Sequence, residues 1–308
     1  MNFEFQKTLM TPVIFNGIGL HSGKNSKIKI LPADENKGIV FKRIDLKNNN
    51  LINANYKSVA SAKLCTTLQN EHSIKVSTVE HLLAALYIAD IDNALIEIDN
   101  DEVPILDGSS KMFLDVLKKT DLKIQLAKRR YLKILEKVEL IDGKRIISIE
   151  PNDSSFEVNF ELNYKNKIIS KQKNLVNFQN DNLKEVVEAR TFCLFEDIEK
   201  IRKFGLAKGG SLDNAIVVDK DKILNTSGLR NPKEFVNHKI LDLAGDFLLS
   251  GYRVIGRVNC YQGGHELTNL FLRKLVSQKK SYSIIDEESD LQSKKTSQLS
   301  HLKIAANA

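Results

Sequence analysis

The chain of 308 residues lacks paired cysteines, long apolar runs and a secretion signal. Its three cysteines, Cys65, Cys193 and Cys260, are odd in number, far apart and in no CxxC pair. This spacing argues against a disulfide framework and a thiolate zinc site, and it indicates small buried thiols in a reducing compartment. No apolar run approaches the ~20 residues that a membrane span requires. The first residues also lack the basic-then-apolar order of a secretion signal, so we expect a cytoplasmic protein.

The positive charge of the chain is not arranged as in a nucleic-acid-binding protein. The formal net charge is +7, but the basic residues are scattered and often interleaved with acids, as at 118–121. No recognition-helix, zinc-finger or single-strand-binding signature accompanies them. We therefore expect no nucleic-acid partner, although the sign of the charge suits a small substrate that carries phosphate.

Length and patterning predict an α+β protein with two domains, because 308 residues are long for one. Strands are predicted at 26–31, 38–44, 94–98, 156–164 and 252–258, a hairpin at 131–140 and 144–150 around Asp142-Gly143, and helices from Thr78, up to Leu117, at 183–189 and around His238. Ser77 and Glu80 fit a capping box at the start of the Thr78 helix. We expect domains at 1–127 and 128–290, a lysine-rich linker at 118–130 and a flexible tail at 291–308.

The two halves repeat one order of elements. In each half, strands precede a helix that carries a histidine, and a turn then leads to an apolar strand. Two such layers packed face to face would bring His81 and His238 together at the domain interface, where ligand sites are common.

His238 and Asp242 are the most informative pair in the sequence. An imidazole and a carboxylate four residues apart on a helix lie on one face, so both can reach a single divalent metal. His81 is the candidate third ligand. Two imidazoles and one carboxylate, with an open fourth position, are typical of a catalytic zinc site. Such a site lowers the pKa of bound water from roughly 15.7 to about 7.

Three more side chains complete a candidate hydrolytic site. Glu80 points about 100° round the helix from His81 and can act as a base. His265, in a predicted loop after two glycines, can act as the acid, with Asp246 to keep it oriented and protonated. The same ligand set also serves ferrous iron in oxygenases. Ligands on helices beside a glutamate favour hydrolysis, but both classes remain open from the residues alone.

Several motifs follow one another along nearly the whole chain, from about Lys7 to Ile284. They are GIGLHSGK at 17–24, STVEHLLAAL at 77–86, PILDGS at 104–109, ARTF at 189–192, GGSLDNAIVV at 209–218, FVNHKILD at 235–242 and GH at 264–265. In sequence and order they closely resemble the motifs of the UDP-3-O-acyl-N-acetylglucosamine deacetylases, which catalyse the committed step of lipid A biosynthesis in Gram-negative bacteria.

This resemblance implies two β-α-α-β domains that form a sandwich, with the helices between two sheets and an insert in each domain. It implies hydrolytic deacetylation of UDP-3-O-(3-hydroxyacyl)-N-acetylglucosamine to the free amine and acetate. Zinc would bind His81, His238 and Asp242, and ferrous iron is the alternative ion in the cell. Glu80 would be the general base and His265 the general acid, with Asp246 as the partner of His265.

The resemblance also implies residues that bind the substrate. Thr191 would donate its hydroxyl to the tetrahedral oxyanion, and Lys239 would contact the UDP portion. An insert at about 194–218 would form the passage for the acyl chain. The passage residues implied at matching positions are Phe192, Ile198, Ala207, Ser211 and Ala215.

The residues after Gly264-His265 depart from the family pattern. Glu266-Leu267-Thr268-Asn269 follows where the family commonly has Ala-Leu-Asn-Asn. The charge of Glu266 would raise the pKa of His265 if the two side chains approach. We expect a monomer that acts on a small-molecule substrate without stable insertion into a membrane. The rival hypotheses are a non-catalytic protein that binds a UDP-sugar or lipid precursor, and a non-haem iron oxygenase.

Overall fold

The computed structural model describes residues 4–286 of the chain. The first half contains β1 (Phe5–Leu9), β2 (Val13–Ile18), β3 (Asn25–Pro32), β4 (Ile39–Arg43), β5 (Leu51–Asn53), a 3-10 turn (Tyr56–Ser58), β6 (Val59–Ser61), β7 (Thr67–Gln69), β8 (Lys75–Val76), α1 (Glu80–Ile88), β9 (Ala94–Ile98), α2 (Lys111–Leu117) and β10 (Leu122–Lys128). The second half contains β11 (Tyr131–Ile134), β12 (Val138–Asp142), β13 (Arg145–Glu150), β14 (Phe156–Asn163), β15 (Lys171–Asn177), α3 (Lys184–Val187), β16 (Phe192–Leu194), α4 (Phe195–Lys203), β17 (Ile216–Asp219), β18 (Lys222–Ile223), α5 (Glu234–Leu248), β19 (Arg253–Tyr261), α6 (His265–Ser277) and β20 (Tyr282–Ile285).

Each half is built on one mixed sheet. The first sheet has five strands in the order β2-β3-β9-β4-β5, and β4 and β9 run parallel. The second has seven strands: β12-β13-β19-β11-β20 form its path, and β14 joins β19 to β15. Alternating residues of each sheet face the interior, as Phe156, Val158 and Phe160 do along β14. The α+β class predicted from the sequence is confirmed.

The helices pack on the inner faces of these sheets. Apolar residues of α1 and α2 share one hydrophobic core with the five-stranded sheet. Residues of α5 and α6 share a second core with the seven-stranded sheet. The two layers meet where α1 packs against α5. On α5, a Cβ at Gly245 would lie 2.1 Å from the carbonyl oxygen of Glu80, so only glycine allows this close approach of the helices.

Each half carries an insert. In the first half it is the small antiparallel sheet β6-β7-β8. In the second half it contains α4 and the sheet β16-β17-β18, in which β16 and β17 are parallel. No helix within residues 4–286 is long and apolar enough to cross a membrane.

The linker predicted at 118–130 is wrong for most of its length. Residues 122–128 form β10, which pairs antiparallel with β1, as between Leu9 and Leu122. Ile124 and Leu126 of this strand are exposed and Leu122 is only partly buried, so backbone pairing contributes more than side-chain burial. A strand with little buried apolar surface has only a weak hydrophobic pattern. Because the segment is also rich in lysine, its sequence resembles that of a linker.

The capping box at Ser77 and Glu80 is also wrong. Helix α1 begins at Glu80, and no side chain caps its first turn. The Ser77 hydroxyl donates to the carbonyl of Asp101. The Glu80 carboxylate accepts a hydrogen bond from the backbone N–H of Thr66 instead of turning back to Ser77. Ser77 and Glu80 therefore bond to Asp101 and Thr66, not to each other's backbone as a capping box requires.

The remaining predictions of local structure are mixed. The hairpin at Asp142-Gly143 is confirmed, and Gly143 has φ of 60°. The strand predicted at 131–140 is interrupted at 135–137, where the N–H of Leu135 donates to the carbonyl of Ser281. His265 does not lie in a loop but is the first residue of α6. The tail at 291–308 lies outside the described residues, and the domain boundaries stay predictions.

Candidate metal centre and active site

Three potential metal ligands converge where α1 and α5 meet. His81 is the second residue of α1, and His238 and Asp242 lie one turn apart on α5. Asp242 Oδ1 lies 3.4 Å from His81 Nε2 and 3.3 Å from His238 Nε2. One ligand atom from each residue lies within 4.8 Å of the others, and all three residues are buried. The sequence predicted that His238 and Asp242 share one face of a helix. The packing of α1 against α5 brings His81 next to them.

The polar atoms of these residues fit a divalent cation. Within residues 4–286, Asp242 Oδ1 is buried without a hydrogen-bond partner. A buried carboxylate oxygen without a donor is costly unless a cation binds it. His238 Nδ1 lies 3.1 Å from the carbonyl of Ala189, a contact that favours a proton on Nδ1 and leaves Nε2 free as a ligand.

The charge states of the α5 ligands also suit a metal. Burial lowers the pKa of His238 to about 3, so its imidazole is neutral and can bind metal through a lone pair. Burial raises the pKa of Asp242, but the neighbouring His238, Lys239 and His265 outweigh it and hold that pKa well below its usual value. Asp242 is therefore ionised and available as a ligand.

Glu80 and His265 form a second pair beside the ligands. His265 Nε2 lies 3.6 Å from Glu80 Oε1 and 3.8 Å from Asp242 Oδ2. On its other side, His265 Nδ1 lies 2.8 Å from Asp246 Oδ2. A carboxylate and an imidazole this close to the three potential ligands can act on the same bound group.

The environments of Glu80 and His265 shift their pKa values upward. Burial raises the pKa of Glu80 above that of an exposed glutamate. Burial lowers the pKa of His265, but the carboxylates of Asp246, Glu80 and Asp242 outweigh it and raise that pKa to about 10. His265 is therefore protonated and can donate from both ring nitrogens.

Comparison with known proteins identifies the family. A family model described as LpxC: UDP-3-O-acyl N-acetylglycosamine deacetylase matches residues 6–277. The chain belongs to the LpxC family.

Curated LpxC-family relatives cover nearly all of the chain. A UDP-3-O-acyl-N-acetylglucosamine deacetylase from Shewanella frigidimarina is 40% identical over 292 residues, which are 93% of this chain and 95% of the relative. The protein of the same name from Idiomarina loihiensis is 39% identical over 288 residues, or 92% of this chain and 94% of the relative. The family resemblance predicted from the motifs is confirmed.

The five residues predicted for the LpxC acyl passage line one cavity. Its volume is about 360 Å³, and its wall is mainly apolar. The predicted residues among its lining are Phe192, Ile198, Ala207, Ser211 and Ala215. Four of them come from the segment between β16 and β17, so the insert of the second half forms much of the wall.

A larger cavity of about 800 Å³ extends to Lys239 and His265, which both contact Asp242. Thr191, Phe192, Lys239 and His265 are among its lining residues. Thr191 and Phe192 line both cavities, so the two spaces adjoin. Lys239 Nζ donates to Asp242 Oδ2 at 2.8 Å, so its charge also acts on a ligand.

Glu266, the departure from the LpxC pattern, is directed toward the surface. Its carboxylate lies 3.3 Å from Arg145, and about half of its side chain is exposed. The carboxylates that raise the pKa of His265 are instead those of Asp246, Glu80 and Asp242.

Two buried residues at the site were not singled out from the sequence. Thr66 contacts both Glu80 and Asp246. His21 lines the apolar cavity, its backbone N–H donates to Glu102, and its Nε2 has no hydrogen-bond partner within residues 4–286. The GLHSG motif could have identified His21. For Thr66, the hydroxyl's partner is 180 residues away, so no local pattern marks it.

Proposed function

We propose that this LpxC-family chain is a zinc-dependent amidohydrolase. It removes acetate from UDP-3-O-(3-hydroxyacyl)-N-acetylglucosamine and leaves UDP-3-O-(3-hydroxyacyl)-glucosamine, the committed step of lipid A biosynthesis. The observation that carries the proposal is the convergence of His81, His238 and Asp242 beside the facing pair Glu80 and His265. The family match supports the substrate class.

Zinc bound to the three ligands would polarise the acetamide carbonyl and make the attacking water more acidic. Glu80 accepts a proton from that water as its oxygen bonds to the carbonyl carbon. Thr191 and protonated His265 donate hydrogen bonds to the oxyanion that develops. His265 Nε2 then gives its proton to the sugar nitrogen as the C–N bond breaks. Acetate and the amino sugar are the products.

The charge states of Glu80 and His265 suit these roles. A general base is most effective when its pKa lies near the working pH, and burial moves that of Glu80 in this direction. The general acid must hold its proton until the leaving group needs it. The three carboxylates around His265 keep the imidazole charged.

The cavities accommodate the rest of the substrate. The apolar cavity with Phe192, Ile198 and Ala215 in its wall would take the acyl chain. Lys239, in the wall of the larger cavity, would contact the UDP portion. Thr191 lines both cavities, so its hydroxyl would be available to the substrate where the two spaces adjoin.

The other expectations extend the same proposal. The protein would be a cytoplasmic monomer with domains at 1–127 and 128–290, without a nucleic-acid partner or stable membrane insertion. Zinc would be the working metal, and ferrous iron would fit the same ligands.

The test is acetate release from UDP-3-O-(3-hydroxymyristoyl)-N-acetylglucosamine by metal-free protein reloaded with one equivalent of zinc. We expect turnover that a chelator abolishes and zinc restores. His238→Ala should lose bound metal, measured by elemental analysis, with an unchanged circular dichroism spectrum. Tight binding of the substrate without turnover would favour the binding-protein hypothesis, and oxygen consumption by the iron-loaded protein would favour the oxygenase.

A further inference from the structure

The site contains a buried threonine to which the reaction above assigns no role. Thr66 is 2% exposed and immediately precedes β7 in the insert of the first half. Its backbone N–H donates to Glu80 Oε2 at 3.1 Å. Its hydroxyl donates to Asp246 Oδ1 at 2.7 Å. One residue therefore contacts both the base on α1 and, on α5, the carboxylate that pairs with the acid.

These contacts close a ring of hydrogen bonds and charges. From Thr66 the ring runs through Asp246 to His265 Nδ1, and from His265 Nε2 across 3.6 Å to Glu80 Oε1. Glu80 Oε2 then returns to the Thr66 N–H. The ring joins the first insert and α1, which are neighbours in sequence, to α5 and α6 of the second half.

We propose that Thr66 is a positioning residue, whose hydroxyl fixes the Asp246 carboxylate so that His265 presents Nε2 to the leaving nitrogen. Asp246 accepts at both oxygens, from His265 at Oδ2 and from Thr66 at Oδ1. With two donors, the carboxylate plane has one orientation. Without the hydroxyl it is free to turn, and the imidazole turns with it.

The physical basis is the orientation of an imidazole by its partner. A histidine in a catalytic site depends on the group at its second nitrogen for its tautomer and ring orientation. Within residues 4–286, Thr66 is the one donor that Asp246 Oδ1 has. Removing this hydroxyl would leave a buried carboxylate oxygen without a partner. A side chain of the same shape but without a hydroxyl cannot restore the hydrogen bond.

The inference rests on the acid role proposed for His265, so its test includes a measurement that does not depend on turnover. Thr66→Val keeps the shape and the N–H bond to Glu80 but removes the hydroxyl, and Thr66→Ser keeps the hydroxyl. Thr67→Val makes the same change one residue along, where the hydroxyl lies 3.8 Å from Cys65 Sγ and outside the ring. All variants are compared as zinc-loaded full chains.

For Thr66→Val we expect kcat to fall about tenfold, the lower range for loss of such a supporting contact. KM should stay within about twofold, because substrate contacts are unchanged. Zinc content should equal that of the unchanged protein. Thr66→Ser and Thr67→Val should keep near-normal kcat. In NMR spectra of protein labelled with 15N-histidine, the His265 Nδ1–H signal should shift in Thr66→Val alone.

Three results would overturn the proposal: a normal kcat for Thr66→Val, a Thr66→Ser variant no better than Thr66→Val, or an unmoved His265 signal. A fourth result, a shifted His265 signal in a protein that releases no acetate, would support the positioning role and contradict only the proposed reaction. Failure of the positioning role and failure of the proposed reaction are therefore distinguishable.

Discussion

Buried charged side chains lie at both ends of α1, and the two groups differ in how they are paired. Past its C-terminal end, the Arg129 guanidinium donates to both carboxylate oxygens of Asp92 and to the carbonyl of Asp90. At its N-terminal end, Asp242 Oδ1 and His81 Nδ1 are buried without a hydrogen-bond partner within residues 4–286. We call these the Arg129 cluster and the metal cluster.

The charges of the Arg129 cluster balance. Its cations are Lys7, Arg129 and Arg253, and its anions are Glu4, Asp90 and Asp92. The metal cluster has three carboxylates, Glu80, Asp242 and Asp246, against Lys239 and protonated His265. A bound cation would satisfy the unpaired Asp242 Oδ1 and favour the ionised form of Glu80, which burial disfavours.

The comparison shows what each arrangement can do. A buried group in which cations and anions pair with one another contributes to structure. Within residues 4–286 the Arg129 cluster leaves a donor, Arg253 Nη2, without a hydrogen bond, and a donor cannot bind a cation. Buried acceptors that the protein leaves unpaired are a cost in stability, and a bound ion offsets that cost. The same helix therefore has a structural cluster past its C-terminal end and a candidate functional cluster at its N-terminal end.

The largest effect we expect comes from Glu80→Gln in the metal cluster. Loss of a general base should lower kcat by roughly 10²–10⁴-fold. Stability should not fall, because the change removes a carboxylate whose ionisation burial disfavours. Zinc content and the melting temperature check that the fold is intact. Glu97→Gln, on β9 beside Lys42, is the matched control and should keep full activity. Near-normal turnover of Glu80→Gln would remove Glu80 from the mechanism.

Arg129→Met tests the structural cluster. The change leaves the carboxylate of Asp92 without its bidentate partner, and breaking such a buried pair costs about 3–5 kcal/mol. Urea unfolding should show this loss, while kcat per folded molecule stays the same. Lys111→Met breaks the exposed pair with Asp115 and should cost less than about 1 kcal/mol. A lower kcat of Arg129→Met without a loss of stability would mean that the Arg129 cluster has a functional role. It would contradict the distinction between the two clusters.

Gly245→Ala acts on the helix contact beneath the metal cluster. The added methyl would lie 2.1 Å from the carbonyl oxygen of Glu80 and push α1 from α5. Overpacking typically costs about 1–3 kcal/mol, and a gain in helix propensity of about 1 kcal/mol opposes it. We therefore expect a modest loss of stability with a clear loss of zinc affinity, measured by competition with a chromogenic chelator.

The control for Gly245→Ala is Gly210→Ala, where a Cβ would meet nothing nearer than 3.4 Å. It should keep its zinc affinity. Unchanged zinc binding in Gly245→Ala would mean that the ligands tolerate a wider separation of the helices.

The smallest effect that we expect is a change with pH in the stability that Asp90 contributes to the Arg129 cluster. Burial raises the pKa of Asp90, but Arg129, Arg253 and Lys7 outweigh it and lower that pKa below its usual value. The folded state thus binds the proton less tightly, so this contribution to stability is present above the unfolded pKa of about 3.9 and is lost as pH falls through the folded pKa. The melting temperatures of the unchanged protein and Asp90→Asn should differ near neutral pH and converge below about pH 4. A constant difference would rule out this linkage.

Much of the local structure could be predicted from the sequence. The alternation along β14 and the Asp142-Gly143 turn are local signals, and both elements are present. The prediction failed at β10 and at the start of α1. There, pairing with β1 and contacts to Thr66 and Asp101 outweigh what the neighbouring residues favour.

The sequence by itself determined that His238 and Asp242 share one helix face, because the period of the α-helix is a local property. Only the tertiary structure decided that His81 joins them, that His265 begins a helix, and that Thr66 reaches Asp246. These contacts depend on how closely two sheets and their helices pack. That distance is decided by side-chain volume across the whole interior, and at Gly245 by the absence of a side chain.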